Sequence, residues 1–163
     1  MTENMIILGI DPGTATTGYG IIEKKKDELK CLEYGCIITK KEEPAEKRLE
    51  KIYKEVTKII TKWKPDIFAI ENLFFFKNEK TAFSVGQARG VLILAAVQQG
   101  LEIFEPTPLE VKQAVSGYGK ADKSQVQKMV KLILNLCEEP KPDDAADALA
   151  SAITCANTIR RKI

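Results

Sequence analysis

Four carboxylates stand out by where they fall. Asp11 ends the apolar run Ile6-Ile7-Leu8-Gly9-Ile10, and Glu71 ends Ile67-Phe68-Ala69-Ile70. Asp144 and Asp147 lie in Pro142-Asp143-Asp144-Ala145-Ala146-Asp147-Ala148. On a helix these last two, three residues apart, point the same way. Each acid also has an ordinary reading. Aspartate before Pro-Gly is a good turn residue, and acids in a first helical turn suit the helix dipole. Turn chemistry does not favour glutamate, however, and three aspartates within five residues exceed what capping requires. Asp143 reads as the N-cap. Gathered together, the other four would repel one another, and some would hold protons unless paired with a cation. Oxygen-only ligands favour Mg²⁺ or Mn²⁺ over zinc. Two such ions, about 3.5–4 Å apart, can stabilise the attacking and leaving oxygens of phosphodiester hydrolysis.

The rest of the composition narrows the chemistry in the same direction. None of the 163 residues is histidine. That removes Ser-His-Asp and Cys-His nucleophiles, HExxH zinc sites and imidazole acid–base catalysis near neutral pH. Hydrolysis here has to run on carboxylates, lysines or oxygen-held metal ions. The 25 basic and 23 acidic residues leave a formal charge of +2, so any footprint for nucleic acid is local. Cys31, Cys36, Cys137 and Cys155 form no CxxC pair and read as buried, reduced thiols. Strand alternation places Cys31 and Cys36 on opposite faces. No apolar run is long enough for a membrane helix and no signal peptide is evident, so a cytoplasmic protein with no membrane partner is expected.

The elements that must position these groups follow from periodicity. Ile6 to Ile10, Thr17 to Ile22 and Leu29 to Thr39 read as strands in an antiparallel meander. Leu49, Ile52, Val56, Ile59, Ile60 and Trp63 mark an amphipathic helix opened near Pro44 and stopped before Pro65. Ile67 to Ile70 is a second buried strand. A helix spans about Thr81 to Gln99, and Ile103-Phe104 begins a short strand before Pro106. A short helix starts near Pro108, another carries Val126, Val130, Ile133 and Cys137, and an alanine-rich helix runs from about Asp143 to Ile159. Residues 1–163 read as a single domain. The order predicts an α/β fold with a mixed five-stranded sheet, a three-strand antiparallel meander plus two parallel strands, flanked by helices on both faces. If the strands ending at Asp11 and Glu71 are adjacent and parallel, both carboxylates reach the same edge of the sheet. Val91 to Val97 is apolar on every side, which calls for a second surface, and a two-fold partner would supply it.

The chain as a whole resembles the RuvC Holliday junction resolvases. The resemblance rests on Ile7-Leu8-Gly9-Ile10-Asp11-Pro12-Gly13, Thr17-Gly18-Tyr19-Gly20, Phe68-Ala69-Ile70-Glu71, Gly86-Gln87-Ala88-Arg89-Gly90 and Asp144-Ala145-Ala146-Asp147-Ala148-Leu149-Ala150. These motifs occur in order along nearly the whole chain. The resemblance implies a ribonuclease H-like fold, a homodimer, and paired symmetric nicking of four-way DNA junctions in recombination and repair, leaving 5′-phosphate and 3′-hydroxyl ends. It places the catalytic and metal-holding acids at Asp11, Glu71, Asp144 and Asp147, with Mg²⁺, two ions per subunit, as cofactor and Mn²⁺ able to substitute. Some relatives carry a histidine at the position of Asp144, whereas this set is all oxygen. The resemblance also implies DNA contacts at Phe74, as a base-stacking wedge, and at Lys77, Asn78, Lys112 and Lys123, with RuvA and RuvB as partners. Stacking on such a ring contributes about 1–3 kcal/mol per base. Three other readings stay open on the residues. They are a phosphate loop of the actin-like ATPase type, a junction-binding module without activity, and another nuclease of ribonuclease H fold.

Overall fold

Strands β1 (Met5–Asp11), β2 (Thr16–Lys25), β3 (Glu28–Ile38), β4 (Ile67–Ile70) and β5 (Glu102–Phe104) form one sheet in the order β3-β2-β1-β4-β5. The computed structural model describes residues 4–72 and 79–159. β1, β2 and β3 pair antiparallel, while β4 lies parallel to β1 and β5 parallel to β4. Helices α1 (Ala45–Trp63) and α2 (Glu79–Gln98) cover one face. Helices α3 (Pro108–Ser116), α4 (Lys123–Ile133) and α5 (Asp143–Thr158) cover the other. This is the mixed, two-sided α/β arrangement of the ribonuclease H type. No helix among the described residues is long and apolar enough to cross a membrane.

Alternation along β1 divides the core. Leu8 and Ile10 pack toward α1 and α2 with Phe68, Ile52 and Leu92, whereas Ile7 packs toward α5 with Leu149 and Ile153. A strand buried on both faces has no polar side, which is why β1 and β4 read as unbroken apolar runs. α1 presents Ile52, Val56 and Ile60 inward at four-residue spacing and ends at Lys64, whose left-handed backbone precedes Pro65.

The approach of α5 to the sheet is closer than ordinary side chains permit. A Cβ on Gly9 would stand 2.0 Å from the Ala148 carbonyl oxygen, and one on Gly18 would stand 2.0 Å from the Asp144 carbonyl oxygen. The helix answers with buried Ala145, Ala146, Ala148 and Ala152. Missing side chains on the strands and short ones on the helix let the two backbones meet.

Three expectations need correction. Asp143 does not cap α5. Pro142 holds the N-cap position in extended conformation, no side chain caps the turn, and Asp143 is already helical. Cys137 is exposed rather than buried, because α4 stops at Ile133 and the chain turns at Asn135, whose φ is 51°. Cys31 and Cys36 share the α5 face. A β-bulge pairs Ile21 with Glu33 but Ile22 with Cys31, so Leu32 is the extra residue and the alternation slips by one. The third correction therefore has a register cause. Cys31 packs in the α5-side core and Cys36 reaches the Ala145 backbone. Burial pushes both thiols up to about 11, and Cys155 up to about 12, so these three stay protonated. On α2, Phe83, Leu94 and Val97 are 75%, 51% and 55% exposed, so the chain itself leaves part of this apolar helix uncovered.

Candidate active site

β1 and β4 deliver two of the four acids together. Ile10 lies beside Ile70 in the parallel pair, so Asp11 and Glu71 leave the same edge as neighbours. Gly9 and Ala69, two residues earlier, face α5, and the period of two keeps Asp11 and Glu71 on that face. α5 enters over the glycines and brings Asp144 and Asp147 on its first turns. Arg89, from α2, holds the exit of β4. Its Nε donates to the Glu71 carbonyl at 3.5 Å and its Nη2 pairs with Glu105 just beyond β5. The Asn72 N–H adds a bond to the Pro106 carbonyl at 2.8 Å.

The electrostatics show that the acids are crowded. Burial, then the charges of Asp147 and Asp144, a hydrogen bond to Asp144, and the charge of Glu71 push Asp11 up to about 8. Burial, and then Asp147, push Glu71 up to about 7, against the opposing pull of Lys112. Asp147 is also raised, chiefly by burial, although Lys123 Nζ stands 3.3 Å away. Carboxylates buried and crowded in this way resist ionising all together.

Two capped helices bring the lysines. Thr107 and Glu110 form a capping box at the start of α3, and Asp122 and Gln125 form another at the start of α4. These fix the helix starts that carry Lys112 and Lys123. Both lysines line a cleft of about 320 Å³ together with Glu71, Asp147, Pro108 and Val111. Lys123 also lies 3.6 Å from Asp143, which gives that aspartate a surface pairing instead of a cap. The structure thus brings six predicted residues to one place, the four acids and the two lysines. Phe74, Lys77 and Asn78 lie outside the described residues.

The donor set fits divalent cations. All four side chains offer oxygen, and burial with Asp147, Asp144 and Glu71 disfavours the charge of Asp11, a cost that a bound cation would remove. Among the described residues no three such groups already stand as an assembled metal site. A bound divalent ion would favour the ionised forms of these carboxylates.

A pH dependence follows, with a definite sign. In the cation-free folded chain Asp11 keeps its proton to about pH 8 and Glu71 to about pH 7, while in the unfolded chain both release it near pH 4. The stabilisation is fully present below about pH 4 and is lost as pH rises through these folded-state values. Asp11→Asn lacks the larger of the two titrations. In calorimetry without divalent ions, native melting should fall relative to Asp11→Asn between about pH 5 and pH 8.5. A pH-independent gap between the two would contradict the crowding.

Sequence reasoning missed Arg89 as a support for Glu71, although the motif that contains it was noticed. Its role depends on a contact between α2 and the end of β4, and the local sequence carries no trace of that contact.

The comparisons with known proteins agree with this geometry. The family model described as "Crossover junction endodeoxyribonuclease RuvC" matches residues 7–155. The chain is 59% identical over 149 residues to the protein of that name from Natranaerobius thermophilus, covering 91% of this chain and 92% of that one. It is 58% identical over 154 residues to the one from Alkaliphilus oremlandii, covering 94% of each. Among solved structures, Thermus thermophilus RuvC in complex with a Holliday junction substrate superposes with a TM-score of 0.87 at 36% identity, covering 92% of both chains.

Proposed function

This chain belongs to the RuvC family of crossover junction endodeoxyribonucleases, and from that premise we propose how its residues cut DNA. It is a Holliday junction resolvase, an endonuclease that binds four-way DNA junctions. Asp11, Glu71, Asp144 and Asp147 are the catalytic acids, and the same four would hold Mg²⁺, two ions per subunit, with Mn²⁺ able to substitute. When bound, the ions would supply the positive charge that activates water and stabilises the leaving 3′-oxygen. The chain does the rest. The four carboxylates present their oxygens together at one edge of the sheet. Lys112 and Lys123 hold phosphate oxygens of the cleaved strand and offset charge as it develops. Phe74 stacks on bases opened at the crossover, and Lys77 and Asn78 contact the backbone beside it. Each nick leaves a 5′-phosphate and a 3′-hydroxyl.

The observation that carries this reading is the meeting of four acids from β1, β4 and α5 beside a cleft lined by two lysines. It is tested by competition. Nicking of a labelled four-way junction should resist excess unlabelled duplex DNA and RNA–DNA hybrid, and should be lost to unlabelled junction. Equal competition by duplex or hybrid would point to another nuclease of this fold.

Residues 1–163 act as one domain, supported by a single sheet shared between both cores. The active form is a homodimer, with the exposed Phe83, Leu94 and Val97 face of α2 as the seam, supported by their spacing of 11 and 14 residues along one helical stripe. A two-fold dimer would place two sites on a nearly two-fold junction. Leu94→Arg should sediment as a monomer and nick junctions poorly; a variant that stays dimeric contradicts the seam. The protein works in the cytoplasm, where the DNA is, and receives its junctions from RuvA and RuvB.

A further inference from the structure

A second hollow, of about 360 Å³, opens beside the carboxylates. It is bounded by the turn Gly13 to Thr16, by Arg48 from α1, by Ser84 and Val85 from α2, and by Asp144. Glu71 and Asp147 line the lysine cleft instead. The acids thus border two hollows, and the two assigned lysines line only one of them.

Arg48 is half-buried and is the only cation that borders this hollow among the described residues. Its Nε donates to Thr39 Oγ1 at 2.8 Å, and that hydroxyl donates to the Thr14 carbonyl at 2.6 Å. Thr14 Oγ1 in turn donates to the Ser84 carbonyl at 2.9 Å. The network fixes one edge of the guanidinium and the rim of the hollow together. Among the described residues, no carboxylate lies within ion-pair distance of Arg48. A partly buried guanidinium gains from an anion that completes its hydrogen bonding, and its planar fork matches phosphate oxygens.

We propose that this hollow is a second phosphate subsite, in which Arg48 grips a backbone phosphate of the nicked strand on the opposite side of the carboxylates from Lys112 and Lys123. The inference rests on the resolvase reading and extends it, because it gives the strand two anchors with the reacting phosphate between them. The competing view is that Arg48 only braces the Asp11 turn through Thr39.

Counter-ion release separates the two. Binding of a fluorescent four-way junction is measured in EDTA over a salt series for the native chain, Arg48→Ala, Arg48→Gln, Arg48→Lys and Thr39→Val. Each phosphate contact contributes about 0.9 to the slope of log K against log salt on duplex DNA. Arg48→Ala and Arg48→Gln should each lose about one such increment, with junction affinity down roughly tenfold at moderate salt. Arg48→Lys should keep the slope, and Thr39→Val should keep both slope and affinity. An unchanged slope in the two neutral variants, with nicking reduced as in Thr39→Val, overturns the subsite and leaves the brace. Should Arg48→Ala fail to fold, the glutamine variant, which keeps an N–H donor near Thr39, decides the matter. A native chain without preference for junction over duplex overturns the resolvase reading, and the subsite with it.

Discussion

Asp11→Asn should abolish nicking while sparing junction binding. The expected fall in single-turnover cleavage is about a thousandfold or more, which is roughly 4 kcal/mol of transition-state stabilisation. The change is nearly isosteric, so the β1 edge and the pairing of Asp11 with Gly18 across the sheet persist. What disappears is a charge at the centre of the cluster, the group that Asp147, Asp144 and Glu71 all act upon. A neutral amide cannot offer the ionised oxygens that a divalent cation needs. It also removes like-charge repulsion, so the variant should fold at least as well as the native chain at pH 8 without metal. Loss of activity with retained or raised stability separates a chemical role from a structural one. Glu71→Gln and Asp147→Asn should follow the same pattern. Glu71→Gln should leave the native melting curve less altered, because its carboxyl is pushed less far, to about 7. Gel-shift binding and end-labelled nicking on one preparation provide the check.

Gly18→Ala should do nearly as much damage with the acids untouched. The new Cβ would fall 2.0 Å from the Asp144 carbonyl oxygen, inside any tolerable contact. β2 cannot retreat, because it is paired on both sides, to β1 and to β3. The first turn of α5 has to move, and Asp144 moves with it away from Asp11. Overpacking of this kind costs about 1–3 kcal/mol in stability. Displacement of a reacting group by an ångström costs about a hundredfold in rate. A lowered melting temperature with nicking reduced about a hundredfold is therefore expected, and binding to junction should change little, since the lysines of α3 and α4 keep their places. Gly9→Ala meets the Ala148 carbonyl oxygen, also at 2.0 Å, further along the helix than Asp144. It should destabilise to a similar degree and perturb Asp147 instead. If both alanine variants nick at the native rate, the close approach of α5 is not what assembles the site.

Much of this was legible before any coordinates. Two apolar runs, each stopped by a carboxylate, read as buried strands that would share an edge if adjacent and parallel, and β1 and β4 are so paired. The spacing of Asp144 and Asp147 read as one helical face. What stayed hidden has a common cause, which is that it depends on contacts between elements. The bulge at Leu32 reverses the facing of Cys31 relative to Cys36, yet nothing in Leu29 to Thr39 marks one extra residue. Asn135 ends α4 four residues past the lysine at 131 through a left-handed turn, whereas the apolar spacing continued to Cys137. Arg89 and Arg48 look like ordinary helical arginines in sequence. Their reach to Glu71 and to Thr39 exists only once α1 and α2 lie across the same sheet face. The glycines at 9 and 18 belonged to recognisable motifs, but their reason, the carbonyls of Ala148 and Asp144, appears only with α5 in place.

With no histidine in the chain, cleavage has no imidazole to fall back on when metal is withheld. Four carboxylates from three elements, with metal and without imidazole, are held to cut opposed strands of a crossover. The decisive measurement maps nicks on an end-labelled mobile four-way junction, with Mg²⁺ and without it. Paired nicks at symmetric positions in two opposed strands, each with a 5′-phosphate, are expected only when Mg²⁺ is present. Unpaired nicks scattered over the duplex arms, or equal cutting in EDTA, would contradict that expectation.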